Sequence, residues 1–172
     1  IVFSPDGNLM YCAINHTNNK QQSVLKIIRI KDFKSMHRLQ YHRGWISSIC
    51  VSSNGKLIAA VYSDKIVQIM QVGNFKVLHK ISGYTKQLRC VCFSPDNSLL
   101  AIGSKGKAVR IYKIHDWTLI GTIWCDGSVN SVCFSPDSQL LVSGCAAGKT
   151  IQITHVGDGR FVYQSKITLD AI

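Results

Sequence analysis

The sequence predicts an all-β protein, a β-propeller segment of about four blades with four antiparallel strands in each. Three observations carry that expectation. The tetrapeptide Phe-Ser-Pro-Asp stands at Phe3–Asp6, Phe93–Asp96 and Phe134–Asp137, with a worn copy, Val-Ser-Ser-Asn, at Val51–Asn54. Ile27, Ile69, Ile111 and Ile153 succeed one another at intervals of 42 residues inside similar apolar stretches. Each interval holds four short apolar runs separated by turn residues, and no helical periodicity persists over about 11 residues. Four strands in a repeat of roughly 40 to 45 residues is the pattern of a propeller blade. The chain is expected to form one domain with blades at about 1–40, 41–82, 83–124 and 125–172.

Within a blade the first strand, A, runs into the tetrapeptide: Ile46–Val51, Leu88–Phe93 and Val129–Phe134 align. Proline presets φ for the second position of a type I turn, Asp or Asn is tolerated third, and a residue able to adopt the left-handed conformation should follow. Gly7, Gly55 and Asn97 meet that requirement; Ser138 meets it poorly. The motif is therefore a tight corner leading into strand B, expected at 57–62 in the second blade. Strand C follows at 66–72 there, and its equivalents are Leu25–Ile30, Val109–Ile114 and Ile151–Val156. Phe33, Phe75 and Trp117 come next at the same interval, before strand D, expected at 76–81 in the second blade.

Composition supports a folded protein. Apolar residues make up 46% of the chain and the mean hydropathy is +0.10, enough to bury a core. The length suits one domain. No apolar run approaches the roughly 18 residues of a membrane-spanning helix. The first residues read as the inside of a strand, without Met or a charged-then-apolar leader, and suggest a piece of a longer protein. Seven cysteines form no Cys-x-x-Cys pair and no even framework, which points to reduced thiols and an intracellular location, cytoplasmic or nuclear. Twenty Lys and Arg stand against nine Asp and no Glu, a formal net charge of +11. Such a balance attracts acidic proteins, phosphorylated groups, nucleic acid or anionic lipid.

The repeat resembles the WD40 family across nearly the whole chain, in the pattern V-x-x-V-x-F-S-P-D-G, then L-L-A, then V-x-I-W-D. The family's Trp-Asp dipeptide is replaced in every blade, by Ile28-Arg29, Met70-Gln71, Tyr112-Lys113 and Thr154-His155. Its Gly-His dipeptide falls on Tyr41-His42, Gly83-Tyr84 and Trp124-Cys125, and its B–C turn aspartate survives as Asp64. The resemblance implies a structural contact between His42 and Asp64 beneath the blade surface. It also implies a closure problem: propellers close with roughly four to eight blades, usually about seven or eight in this family. An open arc leaves strand edges that invite pairing, so the remaining blades of a longer protein, or a second copy, are expected partners there.

Nothing in the sequence points to catalysis or to a cofactor. Ser143–Thr150, Ser-Gly-Cys-Ala-Ala-Gly-Lys-Thr, approximates a phosphate-binding loop, but its first glycine is Ser143 and a strand pattern follows where a helix is needed. It reads as a B–C hairpin turn. Acid–base chemistry needs carboxylates or histidines gathered at one place; Asp6, Asp32, Asp96, Asp116, Asp137 and Asp158 are all taken up by repeat turns. No G-x-S-x-G elbow is present. No metal site is expected: Cys50, Cys92 and Cys133 share one repeat position and read as small core hydrophobes, and His37 and His42 lack partners at zinc-site spacing. Asn15-His16-Thr17 is formally a glycosylation sequon, with little prospect of use in a reducing compartment. The polar segment Asn15–Gln22 reads as a long, solvated B–C loop.

Blade topology sorts the loops onto two rims. The A–B and C–D turns share one, which holds the six turn aspartates, with Lys31, Lys34, Lys56 and Arg160 among their basic neighbours. The B–C turns and D–A links share the other, which carries His16, Lys20, His42, Arg43, Lys65, Lys86, Lys105, Lys107 and Lys149 against Asp64 and Asp126. In the resembling family this second rim is usually the binding face. Trp45 beside Arg43 adds an aromatic anchor of a kind frequent at binding hot spots. Single turn lysines are commonly just solvated; the one-sided bias is what carries weight. The expected function is a non-catalytic scaffold that holds acidic or phosphorylated peptides through His42, Arg43, Trp45, Lys65, Lys86, Lys105, Lys107 and Lys149. Two alternatives remain. Nucleic acid would use the same charge, although the aromatics read as blade residues rather than an exposed stacking platform. Phosphoinositide is suggested by Tyr41-His42-Arg43-Gly44, which resembles the Phe-Arg-Arg-Gly motif of lipid-binding propellers except at its first arginine.

Overall fold

A computed structural model describes residues 1–15, 23–41, 44–146, 150–157 and 161–166. These residues form four sheets of four antiparallel strands, each a simple meander. The first contains β1 (Val2–Phe3), β2 (Leu9–Asn15), β3 (Ser23–Arg29) and β4 (Ser35–Tyr41). The second contains β5 (Ile46–Val51), β6 (Leu57–Tyr62), β7 (Val67–Gln71) and β8 (Val77–Ile81). The third contains β9 (Leu88–Phe93), β10 (Leu99–Ser104), β11 (Ala108–Lys113) and β12 (Leu119–Trp124), and the fourth β13 (Val129–Phe134), β14 (Leu140–Cys145), β15 (Thr150–His155) and β16 (Phe161–Lys166). The all-β expectation holds, and in the second blade strands C and D are only slightly shorter than the sequence pattern suggests. Among the described residues no helix is long and apolar enough to cross a membrane.

The chain divides into two compact units, Ile1–Leu88 and Arg89–Ile172. In the first, Tyr11, Leu25 and Ile27 pack with Ile46, Ile58, Tyr62, Met70 and Phe75, so the first two sheets share one core. In the second, Ala101, Val109, Ile111 and Ile123 pack with Val129, Phe134 and Leu141, with Cys90, Cys125 and Cys145 filling among them. Gly103 is required there: a Cβ would lie 2.4 Å from Cys90 Sγ and 2.7 Å from Val129 Cγ1.

The four A–B corners are nearly identical. The N–H groups of Gly7, Gly55, Asn97 and Ser138 donate to the carbonyls of Ser4, Ser52, Ser94 and Ser135, closing type I turns. All four donors lie in the left-handed region, with φ of 71°, 68°, 61° and 63°. Ser138 thus adopts a conformation for which its side chain is poorly suited. The serine of each motif is the hub. Its hydroxyl donates to the Asx side chain two residues on (2.5 Å to Asp6, Asp96 and Asp137; 2.8 Å to Asn54) and accepts the N–H of Leu9, Leu57, Leu99 or Leu140 at 2.9 Å. Ser52 and Ser94 are fully buried.

The C–D connections repeat a second device. Asp32, Asn74 and Asp116 accept the N–H two residues on, from Lys34, Lys76 and Thr118. The residue between, Phe33, Phe75 or Trp117, sits at φ of 51°, 55° or 60°. The periodic aromatics are therefore turn residues in a left-handed conformation. Asp158, expected in the fourth such turn, lies outside the described residues. The periodic isoleucines also mark a fixed event: the C–D register shifts immediately after Ile27, Ile69, Ile111 and Ile153.

Two expectations need correction. Cys50 and Cys92 are only half-buried and Cys133 is exposed. Strand A is otherwise covered on both faces in the third blade, where Cys90 and Val91 are both buried, so it is this one repeat position that is less enclosed. And the aromatics are not confined to the blade interior, since Phe33 (75% exposed), Trp45, Trp124 and Tyr163 reach the surface.

Candidate functional site

Each unit carries its own candidate site, formed by its B–C turns and the links that lead into or out of them. In the first unit the turn after β6 is closed by the N–H of Lys65 donating to Tyr62 O at 3.1 Å. This places Lys65 at φ 70°, with its side chain exposed. Trp45 is tied to the same turn. Its N–H donates to Ser63 Oγ (2.8 Å) and its carbonyl accepts the Ser63 N–H (2.8 Å). Gly44, at φ 113°, permits that approach: a Cβ there would meet Ser63 Oγ at 2.9 Å and Asp64 N at 3.2 Å. Trp45 is 44% exposed, and its backbone is bound to the turn that carries Lys65. Asn15 fixes the start of β5 by exchanging two bonds with the Ile46 backbone, at 2.9 and 3.0 Å. The amide of the sequon asparagine is thus committed to joining the first two sheets.

In the second unit the turn after β10 is held by Ser104 Oγ, which donates to Ala108 O and accepts the Gly106 N–H, both at 3.2 Å. Lys107 occupies the position equivalent to Lys65 and is left-handed too, at φ 59°. Lys105 and Lys107 are exposed. The Lys107 carbonyl accepts the N–H of Cys125 at 2.8 Å, and Trp124 pairs with Ala108 across the sheet. Trp124, 69% exposed, thus lies next to the residue whose backbone bonds Lys107. Its carbonyl also accepts a bond from the buried Gln152 Nε2 at 3.2 Å. Sequence reasoning missed Trp124 because it aligns with a family Gly-His position; its exposure follows from lying at the end of the outer strand β12. Further along the same link, Asp126 accepts a hydrogen bond from Gln164.

Of the other expected residues, Lys86 is exposed in the connection between β8 and β9. Asp64 is exposed on the turn with Lys65. His42, Arg43 and Lys149 lie outside the described residues, and with them the expected His42–Asp64 contact, as does most of the Asn15–Gln22 loop. The loop resembling a phosphate site is bounded by strands: Cys145 ends β14, Thr150 opens β15, and the two pair. Among the described residues no three of His, Cys, Asp and Glu gather as metal ligands would.

At the opposite ends of the strands the carboxylates serve the turns. The Ser4 hydroxyl, with the Asn8 backbone and side chain, lowers the pKa of Asp6 to about 2. Ser135 and the Gln139 N–H lower that of Asp137 in the same way. At Asp96 partial burial pulls upward, but the hydroxyls of Ser94 and Ser98 outweigh it. Arg29 grips Asp32 with two bonds, at 3.0 and 2.6 Å. Burial, by contrast, pushes the thiols of Cys90 and Cys125 up to about 12, so they stay protonated within the core.

The family model described as the anaphase-promoting complex subunit 4 WD40 domain matches the chain twice, at residues 19–93 and 91–172. No curated protein matches it.

Proposed function

The chain belongs to the anaphase-promoting complex subunit 4 WD40 domain family, and from that premise we propose that it is a non-catalytic platform for acidic or phosphorylated peptides, held by its B–C turns and D–A links. WD40 domains serve in general as protein-interaction scaffolds. The finer reading rests on one observation: Lys65 and Lys107, one period apart, both hold a left-handed conformation that glycine or asparagine would occupy with less strain. Strain retained at exposed turn positions is characteristic of binding sites. Each lysine turn is linked through the backbone to a segment that carries an exposed tryptophan, Trp45 or Trp124, and an aromatic near a cation suits a phosphate or carboxylate on an otherwise apolar segment. Arg43, Lys86, Lys105 and Lys149 would add charge, and His42 would support the turn through Asp64. The family's description names a subunit of a complex, which favours protein partners over lipid or nucleic acid. Seven free cysteines support a reducing compartment, cytoplasm or nucleus.

The test is fluorescence anisotropy with a labelled acidic peptide, in phosphorylated and unphosphorylated forms, against the wild-type chain and the Lys65→Glu and Lys107→Glu variants. Saturable binding that strengthens with phosphate and weakens on the order of tenfold or more in each variant is expected. Equal binding by wild type and variants would sink the reading. Vesicles containing phosphoinositide and a random DNA duplex serve as comparison ligands; tighter binding to either would replace peptide as the ligand class.

A further inference from the structure

Each sheet ends on its fourth strand, β4, β8, β12 or β16. The far edge of such a strand presents N–H and C=O groups that invite pairing with another chain, and proteins commonly block it with a charge, lysine above all. The repeat shows where the block sits. Lys26 pairs with Arg38, Gln68 with Lys80, Arg110 with Thr122 and Gln152 with Gln164. Arg38, Lys80, Thr122 and Gln164 therefore hold one position, spaced by 42 residues. Arg38 and Lys80 are charged and exposed. Gln164 is neutral, but its amide donates to Asp126. Thr122 carries no charge, and neither does any other residue of β12, Leu-Ile-Gly-Thr-Ile-Trp. Leu119, Ile120 and Trp124 of that strand are exposed.

The ladder fixes which backbone groups of β12 face outward. The Cys125 N–H donates to Lys107 O, which makes these two a hydrogen-bonded pair. Hydrogen-bonded and non-bonded pairs alternate along an antiparallel ladder. Ile123, opposite Val109, is thus turned toward β11, whereas Thr122 and Trp124 direct their N–H and C=O groups away from it. The bond from Gln152 Nε2 to the Trp124 carbonyl agrees with that direction.

We propose that β12 is a self-association edge, on which a second copy of this chain adds its own β12 antiparallel, about a two-fold axis at Thr122. In that register the two Thr122 backbones exchange a pair of hydrogen bonds. Opposed residues share one face of the sheet, so Thr122 meets its counterpart and Ile120 meets the partner's Trp124. A threonine pair and two aromatic–β-branched pairs are combinations that stabilise sheets. The same operation on β4 or β8 would set Arg38 against Arg38 or Lys80 against Lys80, which is repulsive. A two-fold contact is self-complementary, and a copy of the chain presents the matching strand by construction. With one short strand from each copy the interface is small and the dimer weak. The pairing uses neither turn lysine, so it stands or falls apart from the peptide site, although Trp124 borders both.

The experiment follows the 172-residue chain by analytical ultracentrifugation at concentrations up to about 1 mM, where even weak association is populated. A mass that rises with concentration from one chain toward two is expected, together with slower hydrogen exchange at the Thr122 amide. Thr122→Lys restores the charge that β8 carries at this position. Thr122→Pro removes an N–H that β11 does not use, and proline is tolerated on edge strands when that side faces outward. Both variants should melt as wild type does in dilute solution and associate more weakly, on the order of tenfold or more. Should the proline variant fail to fold, the lysine variant decides. A wild-type chain that keeps the mass of one copy throughout, or a dimer that persists unchanged in Thr122→Lys, would overturn the proposal.

Discussion

The backbone N–H of Asp96 donates to the hydroxyl of Ser138 at 3.2 Å, joining the A–B corners of the third and fourth blades across 42 residues of sequence. Ser138 is the least suitable of the four corner residues for a left-handed conformation, and its side chain links two blades. The local cost of its φ is offset by a tertiary bond. Ser138→Ala keeps the strain and loses the bond, and should destabilise the chain by about 0.5–1.5 kcal/mol in urea unfolding. Ser138→Gly removes the strain as well and should cost less than alanine. A glycine variant less stable than the alanine variant would contradict this account.

The corner carboxylates make stability depend on pH. Asp6 titrates near 2 in the folded chain against an ordinary value of 3.8, and the pKa values of Asp96 and Asp137 are lowered too. A depressed folded pKa adds stability above the unfolded value and loses it as pH falls through the folded one. Stability should therefore decline between about pH 4 and pH 2. Asn54 already fills this role without charge, so Asp6→Asn should fold and show a shallower decline over that window. Denaturant midpoints measured at intervals from pH 5 downward would check it.

Gly103 bears on the second core. An added Cβ would fall 2.4 Å from Cys90 Sγ and 2.7 Å from Val129 Cγ1, both well inside van der Waals contact. Gly103→Ala should cost about 1–3 kcal/mol through overpacking. Combining it with Cys90→Ala removes the nearer obstacle and should recover part of the loss, a coupling that a double-mutant cycle would read.

The strained turn lysines separate structure from binding. A left-handed non-glycine residue costs roughly 1–2 kcal/mol, while glycine gives back about 0.4–1 kcal/mol through the unfolded chain. Lys65→Gly and Lys107→Gly should thus leave the melting temperature equal or slightly raised. Affinity for an acidic phosphopeptide should fall in the same proteins. If stability drops instead, the lysines hold the turns together and their charge is incidental.

Much of this protein was legible before any coordinates. The 42-residue period, the four strands per blade and the left-handed turns at Gly7, Gly55 and Asn97 follow from local chemistry: proline sets one dihedral, glycine or asparagine accepts another, and alternation sets the strands. Such features depend on neighbours within a few residues, so a linear reading reaches them. The placement of Lys65 and Lys107 in B–C turns was visible for the same reason. The hub role of the corner serines was half-visible; the motif showed the residue, but not that it bonds both the Asx side chain and the leucine N–H.

What remained hidden depends on residues distant in sequence. Trp124 looked like part of a family dipeptide, and its exposure next to Cys125, whose N–H bonds Lys107, appears only once β11 and β12 pair. Cys133 looked like a core residue, yet it is exposed. Gln152, in an apolar-looking strand, is buried because the Trp124 carbonyl satisfies it. Tyr11 differed from its repeat partners in plain view, but only packing shows that its hydroxyl is buried and, among the described residues, without a hydrogen-bond partner. The sequence by itself determined the blades and their corners, because turns and strands are local bargains between dihedral preference and hydrogen bonding. The tertiary structure decided which side chains face solvent, one another or a space between hairpins, because burial is set by whatever the fold brings alongside.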